Sequence, residues 1–363
     1  MQSSKITAPR LSQLRVLPRP SCCFSNGVTL MKIALDAMGG DYAPEATVHG
    51  SLEALQTDST LEMYLIGNED LVKEFLPANL PEHMHLIPSS QVVSMQDKGS
   101  RVLKKKPDSS LVKGIELLKD GVVDAFVSAG HTGAVLSSAL LLLGRIEGAK
   151  RPALGAYIPT DTGGKIICDV GANPDVKPRH LMQFAVMASL YLDHVENIKN
   201  PKIGLINIGS EPGKGSELYR DAYELLKQEF PTFIGNVESR NILTSAADVL
   251  ICDGFVGNTI IKFAEGWISL LSEMVKKKIE EKFTYKLGAK MLTPVLEAIN
   301  TQYDYEEHGG SPLLGVNGVC IVSHGNSNAK AIKNSISVAR KCVAERLIAD
   351  IQIGLSEHLE NNQ

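Results

Sequence analysis

The chain has few of the features that would place it in a membrane, outside the cell or on nucleic acid. No apolar run in its 363 residues approaches the length of a membrane-spanning helix, and the N-terminal region has no secretory hydrophobic core. The formal net charge is −4, whereas a nucleic-acid-binding domain is usually strongly basic. We therefore predict a cytoplasmic protein without a nucleic-acid partner.

Spacings typical of disulfides and metal sites are also missing. The six cysteines form no C-x-x-C pair, and three of them lie in apolar runs of strand type, where cysteine behaves as a small hydrophobe. The nine histidines form neither an H-E-x-x-H motif nor a zinc-type cluster. These patterns fit a reducing compartment, and we predict neither a metal ion nor an organic cofactor.

Two nucleotide-binding fingerprints are absent. The Walker A motif requires G-x-x-x-x-G-K-[ST], but the interval from Gly209 to Gly213 is one residue short, and Gly215 stands where a magnesium-binding hydroxyl is needed. No G-x-G-x-x-G follows the first apolar strand. The ordinary P-loop and dinucleotide sites are therefore excluded.

What the chain does contain is a repeated transition from an apolar strand through a glycine-rich loop into a helix. The five polar loops span residues 38–41, 130–133, 171–175, 209–215 and 253–258. One such glycine turn is often only structural, but five with polar tips indicate anion binding. Because the carboxyl ends of parallel strands share one edge, we expect these loops to line a single crevice for a phosphate or an oxyanion.

Strand and helix patterns alternate from residue 33 to about residue 260, which predicts a mainly parallel sheet with helices on both faces. From Asn258 to about Lys282, two adjoining apolar stripes predict a long and broadly buried helix. A further apolar stripe lies in Thr284–Asn300, where Pro294 predicts two short helical pieces or a hinge. We assign residues 31–363 to one α/β domain with a helical excursion at about 258–305.

Residues 1–30 contain four basic residues and no acidic ones. Three interpretations compete: a basic disordered tail, a transit-like segment, or codons translated upstream of the true start. We favour the third because Met31 directly precedes the first strand.

The motif series resembles that of the PlsX family, the acyl-ACP:phosphate acyltransferases. Seven motifs appear in order from Met31 nearly to the C-terminus: Asp36-Ala37-Met38-Gly39-Gly40-Asp41, Ser128-Ala129-Gly130-His131-Thr132-Gly133-Ala134, Asp169-Val170-Gly171-Ala172-Asn173, Asn207-Ile208-Gly209 with Lys214-Gly215, Gly235-Asn236-Val237-Glu238, Asp253-Gly254-Phe255-Val256-Gly257-Asn258, and Leu313-Leu314-Gly315 with His324-Gly325. Two positions depart from the family pattern. His131 stands where the family usually has Asn, and Ser239-Arg240-Asn241 replaces a small residue followed by Arg and Asp.

The resemblance implies an enzyme that moves a fatty acyl group from an acyl carrier protein (ACP) thioester to inorganic phosphate, giving acyl phosphate for phospholipid synthesis. It also implies a cytosolic homodimer with a three-layer α/β/α fold, related to phosphotransacetylases and to isocitrate and isopropylmalate dehydrogenases. The alternative is a metal- and NAD-dependent dehydrogenase on the related fold, which would need an acidic cluster and an adenosine pocket. A third hypothesis is a noncatalytic scaffold for carrier proteins and membranes.

Five side chains are candidates for catalysis. Lys214 would bind the attacking phosphate and offset the charge of the tetrahedral intermediate, and the resemblance also places a functional lysine there. Asn258 would donate to the thioester oxyanion, or would only cap a helix. Asp36 and Asp253 would orient Lys214 or a phosphate proton, or would be simple turn residues. His131 would protonate the departing thiol, or would be only a polar loop donor.

The candidates for binding substrate or phosphate are loop residues. They are Gly39, Gly40, Gly130, Thr132, Gly133, Asn173, Gly209, Gly215 and Gly257. Since phosphate is itself the nucleophile, no acyl-enzyme is required. Cys252 lies in a strand and is predicted to be buried rather than to carry an acyl group.

Two further features predict partners. The densest basic run could dock acidic ACP, although such runs are usually only solvated, and it comprises Lys98, Arg101, Lys104, Lys105 and Lys106. Lysines flank the apolar stripe of Thr284–Asn300 as they do in helices that lie on anionic membranes. We predict reversible membrane contact through this segment, with packing in a dimer core as the alternative.

Overall fold

The computed structural model describes residues 30–160, 163–303 and 308–360, without the side chains of residues 296–303 and 359–360. Most of the predicted N-terminal extension therefore lies outside the described residues. The described strands are β1 Met31–Asp36, β2 Leu61–Gly67, β3 Met84–Pro88, β4 Ala125–Ser128, β5 Ala153–Thr160, β6 Gly163–Cys168, β7 Ile203–Asn207, β8 Phe233–Glu238, β9 Val249–Ile251, β10 Ser311–Leu314 and β11 Val319–Val322. They form one sheet in the order β3-β2-β1-β4-β11-β10-β5-β6-β9-β7-β8.

Helices connect most of these strands. They are α1 Glu45–Thr57, α2 Glu69–Lys73, α3 Val102–Lys105, α4 Ser110–Lys119, α5 Thr132–Leu142, α6 Pro178–His194, α7 Glu217–Glu229, α8 Gly254–Glu281, α9 Phe283–Tyr303, α10 Ala329–Ala344 and α11 Leu347–Glu360. A short 3-10 helix, Gly99–Arg101, precedes α3.

The sheet consists of two parallel halves that run in opposite directions. β3, β2, β1, β4 and β11 are parallel to one another, and so are β6, β9, β7 and β8. Between the halves, the pairs β11–β10, β10–β5 and β5–β6 are all antiparallel. Three successive antiparallel pairings reverse the strand direction from one half to the other.

This reversal means that the five glycine loops do not all leave the sheet in the same direction, as they would in a fully parallel sheet. Loops 38–41 and 130–133 follow β1 and β4 at one edge, which we call the first edge. Loops 171–175, 209–215 and 253–258 follow β6, β7 and β9, whose direction is opposite, and we call the position of this group the second edge. The physical reason is that β6 follows β5 with no crossover helix, and two strands joined in this way pair antiparallel.

Helices cover both faces of the sheet, so the three-layer α/β/α architecture is confirmed. Successive side chains of a strand point to opposite faces. Ile33 and Leu35 of β1 therefore pack in one core with residues of α1, α6 and α10. Ala34, between them, packs in the other core with residues of α4 and α5.

Only the first turns of α8 pack on the body of the protein. Val256, Ile260 and Ile261 contact the second core, but farther along the helix Trp267 is 56% exposed and Ile268 is 64% exposed. The prediction of a broadly buried helix is therefore wrong for the single chain. The apolar stripes are present, but among the described residues no element covers them.

α9 is one helix with Pro294 inside it, so the prediction of two short pieces is wrong, and the alternative of a hinge at Pro294 stays a prediction. The helical conformation is interrupted instead at Lys282, whose extended backbone (φ −139°, ψ 140°) ends α8. Pro294 removes one backbone hydrogen bond, and the 21-residue helix continues on both sides of it. The side chains of Leu296 and Ile299 in the predicted apolar stripe lie outside the described residues. No described helix is both long and apolar enough to cross a membrane.

Candidate active site

At the first edge, the Asp36 carboxylate connects the loops that follow β1 and β4. Asp36 is 2% exposed, and its Oδ2 accepts a hydrogen bond of 2.8 Å from the Ser128 hydroxyl. Burial raises the pKa of Asp36 above its ordinary value, and hydrogen bonds from Ser110 and Ser128 oppose the rise. A Cβ added to Gly39 would lie 2.6 Å from this carboxylate oxygen, and a Cβ added to Gly130 would lie 3.2 Å from it. Asp36 therefore joins the two loops instead of lying free for substrate.

His131 is the N-cap of α5. Its Nδ1 accepts a hydrogen bond of 3.3 Å from the backbone N–H of Ala134, so in the neutral ring the proton is on Nε2. Thr132 and Gly133 form the first turn, where helical N–H groups lack intrahelical acceptors. Gly40, in the neighbouring loop, adopts φ +112°. The neutral imidazole can thus donate a hydrogen bond through Nε2 while it caps the helix.

At the second edge, the buried Asp169 carboxylate organises the loop after β6. Its Oδ1 accepts from the backbone N–H groups of Leu154, Gly171 and Ala172, and its Oδ2 accepts from the backbone and side-chain amides of Asn173. Burial raises the pKa of Asp169, and these donors oppose the rise. The second proton of the Asn173 amide goes to Pro152 O at 2.6 Å. Asn173 is therefore occupied in fixing the loop.

The start of α8 packs directly on this loop. A Cβ on Gly257 would lie 1.9 Å from the carbonyl oxygen of Asp169, so only glycine fits this contact. Asp253 caps the helix through a hydrogen bond of 2.9 Å from the N–H of Val256, and its other oxygen accepts from Tyr219 at 2.7 Å. Burial and this hydrogen bond raise the pKa of the Tyr219 hydroxyl well above its ordinary value.

Asn258 lies one turn inside α8, so the helix-capping interpretation of this residue is wrong: Asp253 is the cap. Its side chain is exposed and faces Gly171, whose added Cβ would lie 3.7 Å from Asn258 Oδ1. Asn258 thus presents an amide at the second edge from the second turn of α8.

Lys214 occupies an exposed loop whose backbone is fixed by two amide side chains. Asn207 donates to Lys214 O at 3.1 Å, and Asn236 donates to Glu211 O at 2.8 Å. The lysine side chain lies against Gly209 and is 49% exposed, with only a loose contact of 3.9 Å between its ammonium and Glu211. Gly215, next along the chain, adopts φ +92°. The arrangement offers an available cation on a positioned backbone.

Cys252 is fully buried, as predicted. Burial raises the pKa of its thiol well above the ordinary value, and its Sγ lies 3.5 Å from Asp169 O. A buried, protonated thiol is a poor nucleophile. The geometry does not favour an acyl-enzyme at this cysteine.

The candidate residues therefore fall into two groups. The first edge brings together Asp36, Gly39, Gly40, Gly130, His131, Thr132 and Gly133, and the second edge brings together Asn173, Gly209, Lys214, Gly215, Asp253, Gly257 and Asn258. Sequence reasoning did not select Asp169 and Tyr219 as site residues. The position of Asp169 at the end of an apolar strand was a signal, but the number of its donors depends on how the following loop folds back.

In the part of the chain that the structure describes, no group of three or more His, Cys, Asp or Glu residues is placed to hold a metal ion. The site is instead built from glycine loops, amide side chains and one exposed lysine.

This architecture defines the class: an α/β/α protein with the phosphotransacetylase fold. The structure of a phosphotransacetylase from Streptococcus pyogenes matches it with a TM-score of 0.56 at 17% identity, covering 88% of this chain and 96% of that chain. EutD phosphotransacetylase from Staphylococcus aureus gives a TM-score of 0.52 at 15% identity, covering 86% and 94%. At these identities the likeness shows the fold alone.

Sequence comparison places the chain more narrowly. It is 47% identical over 324 residues to a phosphate acyltransferase of Desulfitobacterium hafniense (strain DSM 10664 / DCB-2), covering 89% of this chain and 97% of the relative. It is 44% identical over 336 residues to a phosphate acyltransferase of Clostridium perfringens (strain SM101 / Type A), covering 92% and 99%. Residues 31–349 match the model of the family described as "Fatty acid synthesis protein". The chain belongs to this family, and the resemblance found in its motifs is confirmed.

Proposed function

We propose that the protein transfers a fatty acyl group from the thioester of ACP to inorganic phosphate and so supplies acyl phosphate for phospholipid synthesis. A phosphate oxygen attacks the thioester carbonyl, the C–S bond breaks, and the carrier thiolate leaves and takes up a proton from solvent. The observation that carries the proposal is Lys214, an exposed cation on a loop fixed by Asn207 and Asn236. The names of the relatives support transfer of an acyl group to phosphate.

In this reaction the protein orients the reactants and stabilises charge. Lys214 binds the phosphate dianion, and Asn258 donates its amide to the oxyanion that forms at the thioester carbon. Asp253 and Tyr219 act through α8, because both oxygens of Asp253 already accept hydrogen bonds. The glycine loops of the two edges, with Thr132, remain the proposed contacts to substrate anions.

The direct test is to incubate the protein with hexadecanoyl-ACP and inorganic phosphate. We expect free carrier thiol and hexadecanoyl phosphate in equal amounts, and no thiol release when phosphate is omitted. Thiol release without phosphate would indicate a hydrolase and would contradict the proposal. Equilibrium dialysis with NAD tests the alternative dehydrogenase, for which no nucleotide fingerprint or acidic cluster was found in the described residues.

The basic run lies beside the first edge, which supports its proposed role in docking the carrier. A Cβ on Gly99 would lie 2.5 Å from the carbonyl carbon of Gly133, so the 3-10 helix packs directly on the start of α5. Lys106 forms an ion pair with Asp97 at 2.6 Å, so its charge is already balanced within the protein. The exposed members are Lys98, Arg101, Lys104 and Lys105.

We expect the double substitution Lys104→Glu and Lys105→Glu to raise the KM for acyl-ACP several-fold and to weaken its dependence on salt, because it replaces attraction to an acidic carrier with repulsion. The KM for phosphate serves as the internal reference. Lys119→Glu with Lys227→Glu, at exposed lysines on α4 and α7, is the matched control. Unchanged kinetics in the first variant would remove the run from the docking surface.

The exposed apolar surfaces of α8 and α9 support proposals of a homodimer and of peripheral membrane contact by a cytoplasmic protein. On α8, Trp267, Leu271 and Met274 repeat at helical spacing and are each at least 50% exposed, which suits packing against a second copy. On α9, Met291 is 77% exposed and Leu292 is 56% exposed, within the proposed membrane segment Thr284–Asn300.

We expect Met291→Glu with Leu292→Glu to abolish sedimentation with vesicles of phosphatidylglycerol, because charged side chains oppose insertion of an amphipathic helix. Leu141→Glu with Leu243→Glu, at exposed leucines outside α8 and α9, is the control and should sediment normally. Analytical ultracentrifugation of both variants measures the dimer separately. If the first variant still sediments with the vesicles, or if it becomes a monomer, the proposal of membrane contact through this segment is contradicted.

A further inference from the structure

Glu211 lies beside Lys214 in the loop that follows β7, and both side chains lie over the same glycine. A Cβ added to Gly209 would lie 2.8 Å from Glu211 Oε2 and 3.1 Å from Lys214 Cγ. The absence of a side chain at Gly209 therefore leaves room for both residues. Asn236 donates to Glu211 O at 2.8 Å, and the N–H of Lys214 donates to the same oxygen at 3.1 Å. These hydrogen bonds fix the backbone from which the carboxylate extends.

The Glu211 carboxylate accepts no hydrogen bond from the described residues. Its Oε1 lies 3.9 Å from the Lys214 ammonium, which exceeds the length of a charge-assisted hydrogen bond, about 2.7–2.9 Å. The Glu211 side chain is 65% exposed and that of Lys214 is 49% exposed, so both groups are accessible to a ligand. One oxygen atom at about 2.8 Å from each group would fit this separation without moving either side chain.

We propose that Glu211 makes this site specific for a protonated oxyanion, by accepting a hydrogen bond from a P–OH group of the phosphate that Lys214 binds. The inference rests on the proposed function and names a residue that selects the acyl acceptor. A P–OH oxygen can accept a hydrogen bond from the ammonium and donate one to the carboxylate, which only accepts. The hydrogen bond leaves the unprotonated phosphate oxygens, which are the nucleophilic ones, free to attack the thioester. Glu211 transfers no proton in this role.

The anion that this arrangement rejects is sulfate. Inorganic phosphate carries at least one proton near neutral pH, whereas sulfate has the same shape and carries none. A sulfate oxygen in the place of the P–OH oxygen would meet the Glu211 carboxylate with a like charge and without a hydrogen bond. Phosphate therefore gains a contact at Glu211 where sulfate meets repulsion.

The test compares these two anions at constant ionic strength. Acyl phosphate formation from hexadecanoyl-ACP gives the KM for phosphate, and sulfate added as a competitor gives its inhibition constant. Glu211→Gln removes the charge and keeps the size of the side chain. We expect the KM for phosphate, divided by the inhibition constant of sulfate, to rise roughly tenfold or more, because phosphate loses a hydrogen bond to a charged group and sulfate loses a repulsion. Glu217→Gln, at an exposed carboxylate in the first turn of α7, should leave this ratio unchanged.

A simple counter-ion gives a different result. If Glu211 only neutralised Lys214, its removal would strengthen the binding of both anions equally, and the ratio would stay the same. An unchanged ratio in a variant with a normal thermal midpoint therefore overturns the role of Glu211 while the proposed function stands. If the thermal midpoint of Glu211→Gln falls, Glu211→Ala repeats the measurement without an amide, and an unchanged ratio there is equally decisive. Absence of acyl phosphate with the unmodified protein overturns the proposed function, and the role of Glu211 with it.

Discussion

We expect Lys214→Ala to lower kcat for acyl phosphate formation by roughly 10²-fold or more, the scale of losing one preorganised group that stabilises the transition state. The ammonium of Lys214 has only a loose contact of 3.9 Å with Glu211, so its charge is available to phosphate. The loop backbone is fixed by Asn207 and Asn236 through bonds that do not involve the lysine side chain. The substitution should therefore remove the charge without unfolding the loop.

Three variants complete this experiment. Lys214→Arg keeps the charge and should retain more activity than Lys214→Ala. Lys202→Ala, at an exposed lysine just before the opposite end of β7, should behave as the unmodified protein. Asn258→Ala should also lose roughly 10²-fold in kcat, since it removes the proposed oxyanion donor. Near-normal turnover in both alanine variants at Lys214 and Asn258 would exclude the proposed site.

The local features of the fold could be predicted from the sequence, because they depend on short-range patterns. Alternating strands and helices gave the layers, and the polar glycine loops do follow the strands. The direction of the second half of the sheet was missed because β5 was not recognised. Its signal was present: Ala153–Thr160 is an apolar run that leads into Gly163–Cys168 with no helix between them, which is typical of an antiparallel hairpin.

The environment of α8 could not be predicted for a different reason. Apolar stripes such as Trp267, Leu271 and Met274 show that a helix has a surface to cover, but a pattern within one chain does not identify what covers it. The same limit applies to the role of Asn258. A polar residue near a helix start is a cap or a ligand donor depending on where the first turn begins, and α8 begins at Gly254 with Asp253 as its cap.

The second large effect is expected at Asp169, which we infer to be a positioning residue. Asp169→Asn replaces one carboxylate oxygen with an amide that would face N–H donors, so at least two buried donors lose their acceptor. We expect a loss of about 2–4 kcal/mol in the free energy of unfolding, because buried donors left without partners are costly, especially beside a former charge. In a chain of this size, a decrease of about 3–5 °C in the thermal midpoint corresponds to that loss.

Activity should fall in the same variant, even well below its unfolding temperature. The loop held by Asp169 contacts the start of α8 at Gly254 and Gly257, and Asn258 faces Gly171 of that loop. Releasing the loop therefore displaces the proposed oxyanion donor, which should lower kcat more than it changes the KM for phosphate. Asp175→Asn, at an exposed aspartate of the same loop, is the control and should change neither property. If the Asp169→Asn variant is destabilised but has a normal kcat at low temperature, Asp169 only stabilises the fold. The loop that it holds would then have no role in catalysis.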